Sequence, residues 1–132
     1  MKLNKELLLR AADAIEANPQ HFDMRSWVGV SEYGTTGCIV GWAIFLHKKR
    51  KNFSLFALNY NRNDNFLPPR LMPILGIESD ELFCVLACWS EWKNKWMQSK
   101  YTDAGTGTEK AKIAADYVRW FVANYDRLDG EI

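Results

Sequence analysis

An uncharged segment in the first half of the chain restricts the folds that are open to this sequence. From Gly37 to Leu46 there is no charged residue, and the apolar side chains would occupy every side of a helix. A helix that is apolar on all sides belongs inside a protein, where other elements cover it. The segment is too short to span a bilayer, which requires about 20 apolar residues. Residues 34–46 are therefore predicted to contain the buried central helix of a small soluble domain.

Length and charge limit the class of protein. The 132 residues fit a single domain, residues 1–132, with a sizeable core. A formal net charge of +1 argues against a surface that binds nucleic acid over its whole extent, because such surfaces have a strong basic excess. The odd number of cysteines, three, and the absence of an apolar signal sequence favour a reducing, cytoplasmic setting. We expect no membrane contact and no cofactor.

The N-terminal half of the chain is predicted to contain two helices joined by a connector. Apolar residues within 3–17 recur at helical spacing and predict an amphipathic helix. The connector 20–33 carries large apolar side chains, so it is expected to lie against the core, with a short extended piece at 27–30 as an alternative to a loop. Thr35 or Thr36 is expected to cap the central helix, because threonine oxygens accept hydrogen bonds from the first N–H groups of helices.

The C-terminal half is predicted to contain three further helices. Residues 52–65 include five asparagines and are expected to be irregular, with a short strand as an alternative. A brief helix over 70–75 should end at Gly76, and a longer one is expected over 79–97. The last helix is expected over 106–125. The predicted fold class is mainly α: one compact domain of about five helices around a buried central helix, with room for one short β-hairpin.

Two motifs in the N-terminal half resemble those of a known group of proteins. The pattern Pro-x-x-Phe-Asp-Met-x-x-Trp ends at Trp27, and Gly-Thr-x-x-Cys-x-x-Gly-Trp-Ala runs from Gly34 to Ala43. Together they resemble small uncharacterised bacterial and phage proteins with a Gly-Thr-x-x-Cys-x-x-Gly core helix. The resemblance would cover nearly the whole chain, and it implies a fold but no activity. Members often have a cysteine before the Gly-Thr pair, where this chain has Tyr33, so a metal site or disulfide is not implied there.

Cys38 is the first candidate for chemistry. In the first turn of a helix its thiol would feel the positive end of the helix dipole, which lowers the thiol pKa and favours the thiolate. A thiol enzyme also needs a base. His47 would lie on the opposite side of the same helix, so His21 is the candidate partner. The competing interpretation is that Cys38 is a small apolar residue of the core, in which case no catalytic residue is predicted.

Two other segments have weaker patterns of ligand-binding sites. Cys84 and Cys88 are four residues apart and would share one face of a helix, as two ligands of a zinc site do. The apolar residues around them favour plain core, and no metal site is predicted. The Gly/Thr segment 34–37 resembles the N–H-rich entry of an anion site at a helix start. A helix cap with a sharp turn is the alternative interpretation.

Two surfaces are candidates for contact with a partner. The only basic cluster consists of Lys48, Lys49, Arg50 and Lys51, and aromatic residues follow it in the segment 53–60. Charge next to aromatic rings suits single-stranded nucleic acid, whereas a solvated helix end is the alternative interpretation. Trp92 and Trp96 belong to a tryptophan stripe at helical spacing, which suits a protein interface or, as the alternative, the core.

These observations give one leading hypothesis and two alternatives. The leading hypothesis is a non-catalytic helical module that acts through protein–protein contact, with another protein or as a homodimer. Its contact surface would be the tryptophan-rich helix or the aromatic segment 53–60. The first alternative is a thiol-dependent enzyme that uses Cys38 with His21. The second alternative is nucleic-acid binding through the basic run 48–51.

Overall fold

A computed structural model describes residues 2–31 and 34–131, with side chains at all of these positions except 31, 63 and 64. The described residues form eight α-helices and one antiparallel hairpin. In chain order the elements are α1 (Lys5–Ala17), β1 (Val28–Ser31), β2 (Gly34–Gly37), α2 (Ile39–His47), α3 (Phe53–Tyr60), α4 (Pro68–Leu75), α5 (Asp80–Ala87), α6 (Lys95–Asp103), α7 (Gly107–Ala123) and α8 (Tyr125–Glu131). The mainly α class and the hairpin are confirmed, whereas the expected number of about five helices is too low. None of these helices combines the length and the apolar character that crossing a membrane requires.

The central helix forms as predicted, although it starts later than expected. In α2 the residues 39–45 are all buried, and α1, α4 and α5 pack around them. The prediction that Thr35 or Thr36 caps this helix is wrong, because Cys38 is the N-cap residue. Both threonines belong to β2, whose backbone is extended because it pairs with β1.

The hairpin accounts for the predicted extended piece at 27–30. Val28 pairs with Gly37 at one end of the ladder, and Ser31 pairs with Gly34 at the other. The connection between the two strands includes Tyr33, which lies outside the described residues. The helix α3 packs across both strands, so the hairpin lies between α3 and the start of α2.

Two glycines allow the hairpin to approach α2 closely. A Cβ atom on Gly41 would lie 1.8 Å from the carbonyl oxygen of Trp27, and one on Gly37 would lie 2.9 Å from the same oxygen. That oxygen also accepts a hydrogen bond of 3.1 Å from the N–H of Cys38. The glycines at these two positions therefore leave the space in which the Trp27 backbone contacts the first turn of α2.

The predicted helix over 79–97 is wrong as a single element. The hydroxyl of Ser79 caps α5, as expected, but the helix ends at Ala87 because Cys88 has an extended backbone with φ −111° and ψ 111°. A short 3₁₀ turn, Trp89–Glu91, follows. Asn94 then caps a new helix, α6, through its side-chain oxygen. The chain thus changes direction within the tryptophan-rich segment.

The asparagine-rich region is helical, which corrects the expected irregular segment or strand over 52–65. Asn52 caps α3 by accepting a hydrogen bond of 3.0 Å from the N–H of Leu55. The buried side of α3 consists of Phe53, Phe56 and Ala57. The helix α4 ends at Gly76, whose φ of 72° is left-handed, as the sequence predicts. The predicted last helix over 106–125 corresponds to α7, and α8 follows it beyond the predicted end.

Candidate functional site

Cys38 borders a cleft of 1390 Å³. The cleft is bordered by the segment before β1, by the turn after α5 and by the loop between α6 and α7. Its walls include the aromatic side chains of Trp27, Phe66, Trp89 and Tyr101. The cleft is large enough for a small ligand or a short peptide segment, since typical ligand pockets have about 300–1,000 Å³.

The thiol of Cys38 has the properties of a core residue. Its exposed fraction is 2%. Burial raises the pKa of Cys38 to about 11, and this effect outweighs hydrogen bonds from the N–H groups of Val40 and Gly41, which lower the pKa. The thiol is therefore protonated at neutral pH, and the position at a helix start does not produce a thiolate. A catalytic cysteine requires the opposite balance.

The ring of His21 contacts Thr35 and Phe53 and does not border the cleft that Cys38 lines. Its Nδ1 atom is 2.7 Å from the carbonyl oxygen of Thr35, and its ring centroid is 5.6 Å from that of Phe53. Side chains alternate along a strand, and Thr36 and Cys38 border the cleft whereas His21, Thr35 and Phe53 do not. Among the described residues no hydrogen bond joins His21 to Cys38, so the structure gives the predicted nucleophile no base in contact with it.

The charged side chains of the cleft are paired within the chain. The guanidinium of Arg25 contacts the carboxylate of Asp23, with a shortest N–O distance of 2.6 Å. Partial burial acts to raise the pKa of Asp23, but the hydrogen bonds and charge of Arg25 outweigh it and hold the pKa below its ordinary value. The ammonium of Lys110 lies 4.5 Å from the Tyr101 ring centroid and donates to the Tyr101 carbonyl. Asp23 and Arg25 thus neutralise each other, whereas Lys110 gives the cleft one positive charge that no described carboxylate contacts.

The other cysteines are at the surface. Cys84 and Cys88 are both exposed, in contrast to the core position that the surrounding apolar residues favour. Over residues 2–31 and 34–131 no group of three or more His, Cys, Asp and Glu side chains is placed to hold a metal ion. The proposed anion-binding segment 34–37 is a paired strand instead of a helix entry.

The two tryptophans predicted as binding residues have opposite environments. Trp92 is fully buried, and its ring stacks on Tyr117 with 4.0 Å between centroids. Trp92 therefore belongs to the core, because the break between α5 and α6 turns it inward. Trp96 is 67% exposed on α6, where the ammonium of Lys100 lies 5.5 Å from its ring. Of this pair only Trp96 is available to a partner.

The basic run forms an exposed turn between α2 and α3, which we call the basic corner: Lys48, Lys49, Arg50 and Lys51. Lys48 caps the end of α2, and Lys49 has a left-handed φ of 55° that redirects the chain towards α3. No ion pair between described residues involves these four cations. By contrast, Arg119 on α7 contacts carboxylates of Asp13, Glu16 and Asp116. The basic corner thus carries charge that no carboxylate of the described residues pairs with.

The charge distribution along the chain strengthens this contrast. Residues 33–63 contain five of the 17 Lys and Arg residues and none of the 16 Asp and Glu residues. This segment includes β2, α2 and α3, so the near-neutral whole chain has one basic region and an acidic remainder. Counting charges over segments would have shown this asymmetry from the sequence, where the net charge concealed it.

An apolar surface lies directly beside the basic corner. Leu55 is 58% exposed and Leu58 is 51% exposed, and their spacing places them on one side of α3. A groove of 330 Å³ joins Leu55 to Arg50 and Lys51, with Asn52, Phe56, Asn59 and Tyr60 as its other walls. We call this surface, made of the basic corner and the two leucines, the α3 face. Sequence analysis missed the leucines because the helix was not expected.

Comparisons of the chain with models of protein families, with curated proteins and with solved structures find no match. A functional assignment therefore has to come from the geometry and charge of the chain itself.

Proposed function

We propose that this protein is a non-catalytic binding module whose α3 face holds an acidic, partly apolar segment of a partner protein. The observation that carries the proposal is the position of two half-exposed leucines beside four cations that have no carboxylate partner among the described residues. Apolar side chains at a surface favour a partner that buries them. The adjacent cations favour carboxylates on that partner.

The expected energetics divide between the two kinds of residue. Complete burial of a leucine contributes about 1.5–3 kcal/mol, so covering the half-exposed Leu55 and Leu58 would contribute about 1 kcal/mol each. Exposed ion pairs contribute about 0–1 kcal/mol each because water and salt screen them. The leucines would therefore supply affinity, whereas the basic corner would supply selectivity for acidic segments and faster association.

Nucleic acid is the second candidate for the same surface, and the aromatic side chains argue against it. Base stacking requires an open aromatic face. Phe53 and Phe56 are buried, and the ring of Tyr60 stacks on Phe56 with 4.9 Å between centroids. The ammonium of Lys48 lies 5.7 Å from the Tyr60 centroid. The surface thus offers cations to phosphates but no uncovered ring to bases.

A titration with a defined peptide tests the proposal. The probe is a fluorescein-labelled helical peptide of about 16 residues with glutamate and leucine at helical spacing, and its control has glutamine in place of glutamate. Fluorescence anisotropy should show binding of the acidic peptide and weaker binding of the control. Replacing Leu55 and Leu58 by serine should weaken binding by about 2 kcal/mol, which is about 30-fold.

Charge variants provide the matched comparison. Lys48→Gln, Lys49→Gln, Arg50→Gln and Lys51→Gln in one protein should weaken peptide binding at least about tenfold. The control protein carries the same change at four exposed lysines elsewhere, Lys2, Lys5, Lys93 and Lys95, and should bind as wild type does. Equal binding by the two glutamine variants would contradict the proposal. Tighter binding of a thymidine oligonucleotide of about 20 residues, with a steep salt dependence, would support nucleic acid instead.

Light scattering tests whether the partner is a second copy of the chain. A dimer that dissociates when Leu55 and Leu58 are replaced by serine would show that the α3 faces of two copies contact each other. The partner would then be a second copy of the chain and not an acidic segment of another protein. We expect a monomer, because two basic corners would repel each other at such an interface.

A cytoplasmic location remains the expectation, since exposed thiols and an odd number of cysteines suit a reducing compartment.

A further inference from the structure

Cys84 and Cys88 are held close together at the end of α5. The N–H of Cys88 donates to the carbonyl oxygen of Cys84 at 2.9 Å, which closes the last helical turn. Residues four apart in a helix lie one above the other, about 6 Å apart along the axis. Disulfides join residues whose Cα atoms are about 4.4–6.8 Å apart. The Cα spacing of this pair therefore falls within the range of a disulfide, whereas its Cβ atoms, about 5–6 Å apart at helical spacing, have to approach to about 3.5–4.5 Å for the bond to form.

The two side chains are also placed to react. Both thiols are exposed, and partial burial together with the neighbouring Cys84 thiol raises the pKa of Cys88. Cys88 is the C-cap residue and already has an extended backbone, so its side chain can adjust without distorting the interior of α5. Cys38, by contrast, is buried among core residues. The chain thus contains one exposed dithiol and one protected thiol.

We propose that Cys84 and Cys88 form a redox-active pair that reacts with small disulfides to give an intramolecular disulfide. One thiolate attacks a sulfur of the small disulfide, and a mixed disulfide forms while the first small thiolate leaves. The other cysteine thiolate then attacks the protein sulfur of the mixed disulfide, and the second small thiolate leaves. The cysteine pair loses two electrons, the small disulfide gains them, and the two protons pass to the released thiolates.

The position of the pair connects this reaction to the cleft. Cys88 and the following Trp89 both border the cleft. The turn that carries them is fastened to α6, because the side-chain amide of Gln98 donates to the carbonyl oxygens of Trp89 and Ser90 at 3.0 Å each. The disulfide would therefore form at the edge of the cleft, in a turn whose other end is held in place.

Oxidised glutathione is the probe that tests the proposal. The folded protein is incubated with it, quenched with acid and analysed by mass spectrometry and peptide mapping. The expected product has lost two hydrogen atoms, retains one free thiol at Cys38 and contains a crosslink between Cys84 and Cys88. Glutathione adducts should appear only transiently in the wild type.

Single variants separate pair formation from simple thiol exposure. In Cys84→Ser and in Cys88→Ser the remaining exposed thiol has no resolving partner, so its glutathione adduct should persist. Both sites are at the surface, and circular dichroism of each variant checks that the fold is retained. A wild type that accumulates stable adducts on both cysteines, without the 84–88 crosslink, would overturn the proposal.

Discussion

Replacing Gly41 by alanine tests the close contact between the hairpin and α2. The added Cβ atom would lie 1.8 Å from the carbonyl oxygen of Trp27 and 2.8 Å from a methyl carbon of Val28. Close carbon–oxygen contacts in proteins are about 3.3–3.6 Å. The nearest atom belongs to the backbone, so no side-chain rotation can relieve the clash. The segment before β1 would have to move and weaken the hydrogen bond from the N–H of Cys38.

The change in the stability of Gly41→Ala follows from two destabilising contributions and one that offsets them. Overpacking a filled core costs about 1–3 kcal/mol. Loss of the hydrogen bond to the Trp27 carbonyl costs about 1 kcal/mol. The higher helix propensity of alanine offsets about 1 kcal/mol of this. The Gly41→Ala variant should therefore be about 1–3 kcal/mol less stable than wild type, and its melting temperature should fall by about 3–10 °C.

Urea unfolding followed by circular dichroism measures the difference, with Gly130→Ala as the matched control. Gly130 also lies in a helix, α8, and a Cβ atom there would meet no other atom within 4 Å. The control should be neutral or up to about 1 kcal/mol more stable than wild type. If Gly41→Ala were as stable as Gly130→Ala, the close approach of Trp27 to α2 would be refuted.

Three further predictions concern the buried polar and thiol groups. Burial raises the pKa of Cys38 from 9.0 to about 11 in the folded protein. The protonated thiol therefore contributes fully to the free energy of unfolding below pH 9.0, and this contribution is lost as the pH rises to 11. In urea unfolding over this pH range, wild type should lose about 2 kcal/mol more than Cys38→Ala, and the buried Tyr101 and Tyr117, whose pKa values are also raised, should lower the stability of both proteins. Iodoacetamide at neutral pH should modify the two exposed cysteines and leave Cys38 unmodified until the protein unfolds; labelling of all three in the folded state would contradict its burial. Trp42 donates from Nε1 to the His21 carbonyl at 3.1 Å, whereas Nε1 of Trp92 is buried and has no hydrogen-bond partner among residues 2–31 and 34–131. Trp42→Phe should therefore lower the free energy of unfolding by about 1–3 kcal/mol more than Trp92→Phe in the same assay. Equal decreases in the two variants would show that the indole of Trp92 is hydrogen-bonded.

The sequence predicts the elements whose patterns are local. The uncharged segment predicts α2, and the apolar spacing within 3–17 predicts α1; both helices are observed. A helix buried on all sides and a helix buried on one side have distinct patterns of apolar residues in the sequence. Gly76 marks the end of α4 for an equally local reason, since few other residues adopt its left-handed backbone.

The features that sequence analysis missed depend on distant contacts. The helical spacing of Trp89, Trp92 and Trp96 predicts one stripe, but Trp92 turns inward because Tyr117 on α7 provides a stacking partner. The expected activation of Cys38 fails for a similar reason. Segments that are far from it in sequence cover the thiol, and the resulting loss of hydration outweighs the local hydrogen bonds.

The candidate surface was predictable in part. The basic corner is visible as a run of four cations, and its exposure is confirmed. The absence of carboxylate partners for it in the described part of the chain could be anticipated only from the acid-free segment 33–63. The adjacent leucines could be found only by knowing that 53–60 is a helix. Because asparagine favours turns, the five asparagines of 52–65 predict an irregular segment. Asn52 instead caps α3, and asparagine is common at that position as well.

Mapping the acidic peptide by nuclear magnetic resonance tests the central proposal most directly. Uniformly nitrogen-15-labelled protein is titrated with the glutamate–leucine peptide, and amide shifts are followed residue by residue. The proposal predicts that the largest amide shift changes fall within residues 48–60. The amide shifts of residues that border the cleft, such as Trp27 and Trp89, should change little. Largest shifts at the cleft or around Trp96, with residues 48–60 unaffected, would contradict the assignment of the α3 face as the binding surface.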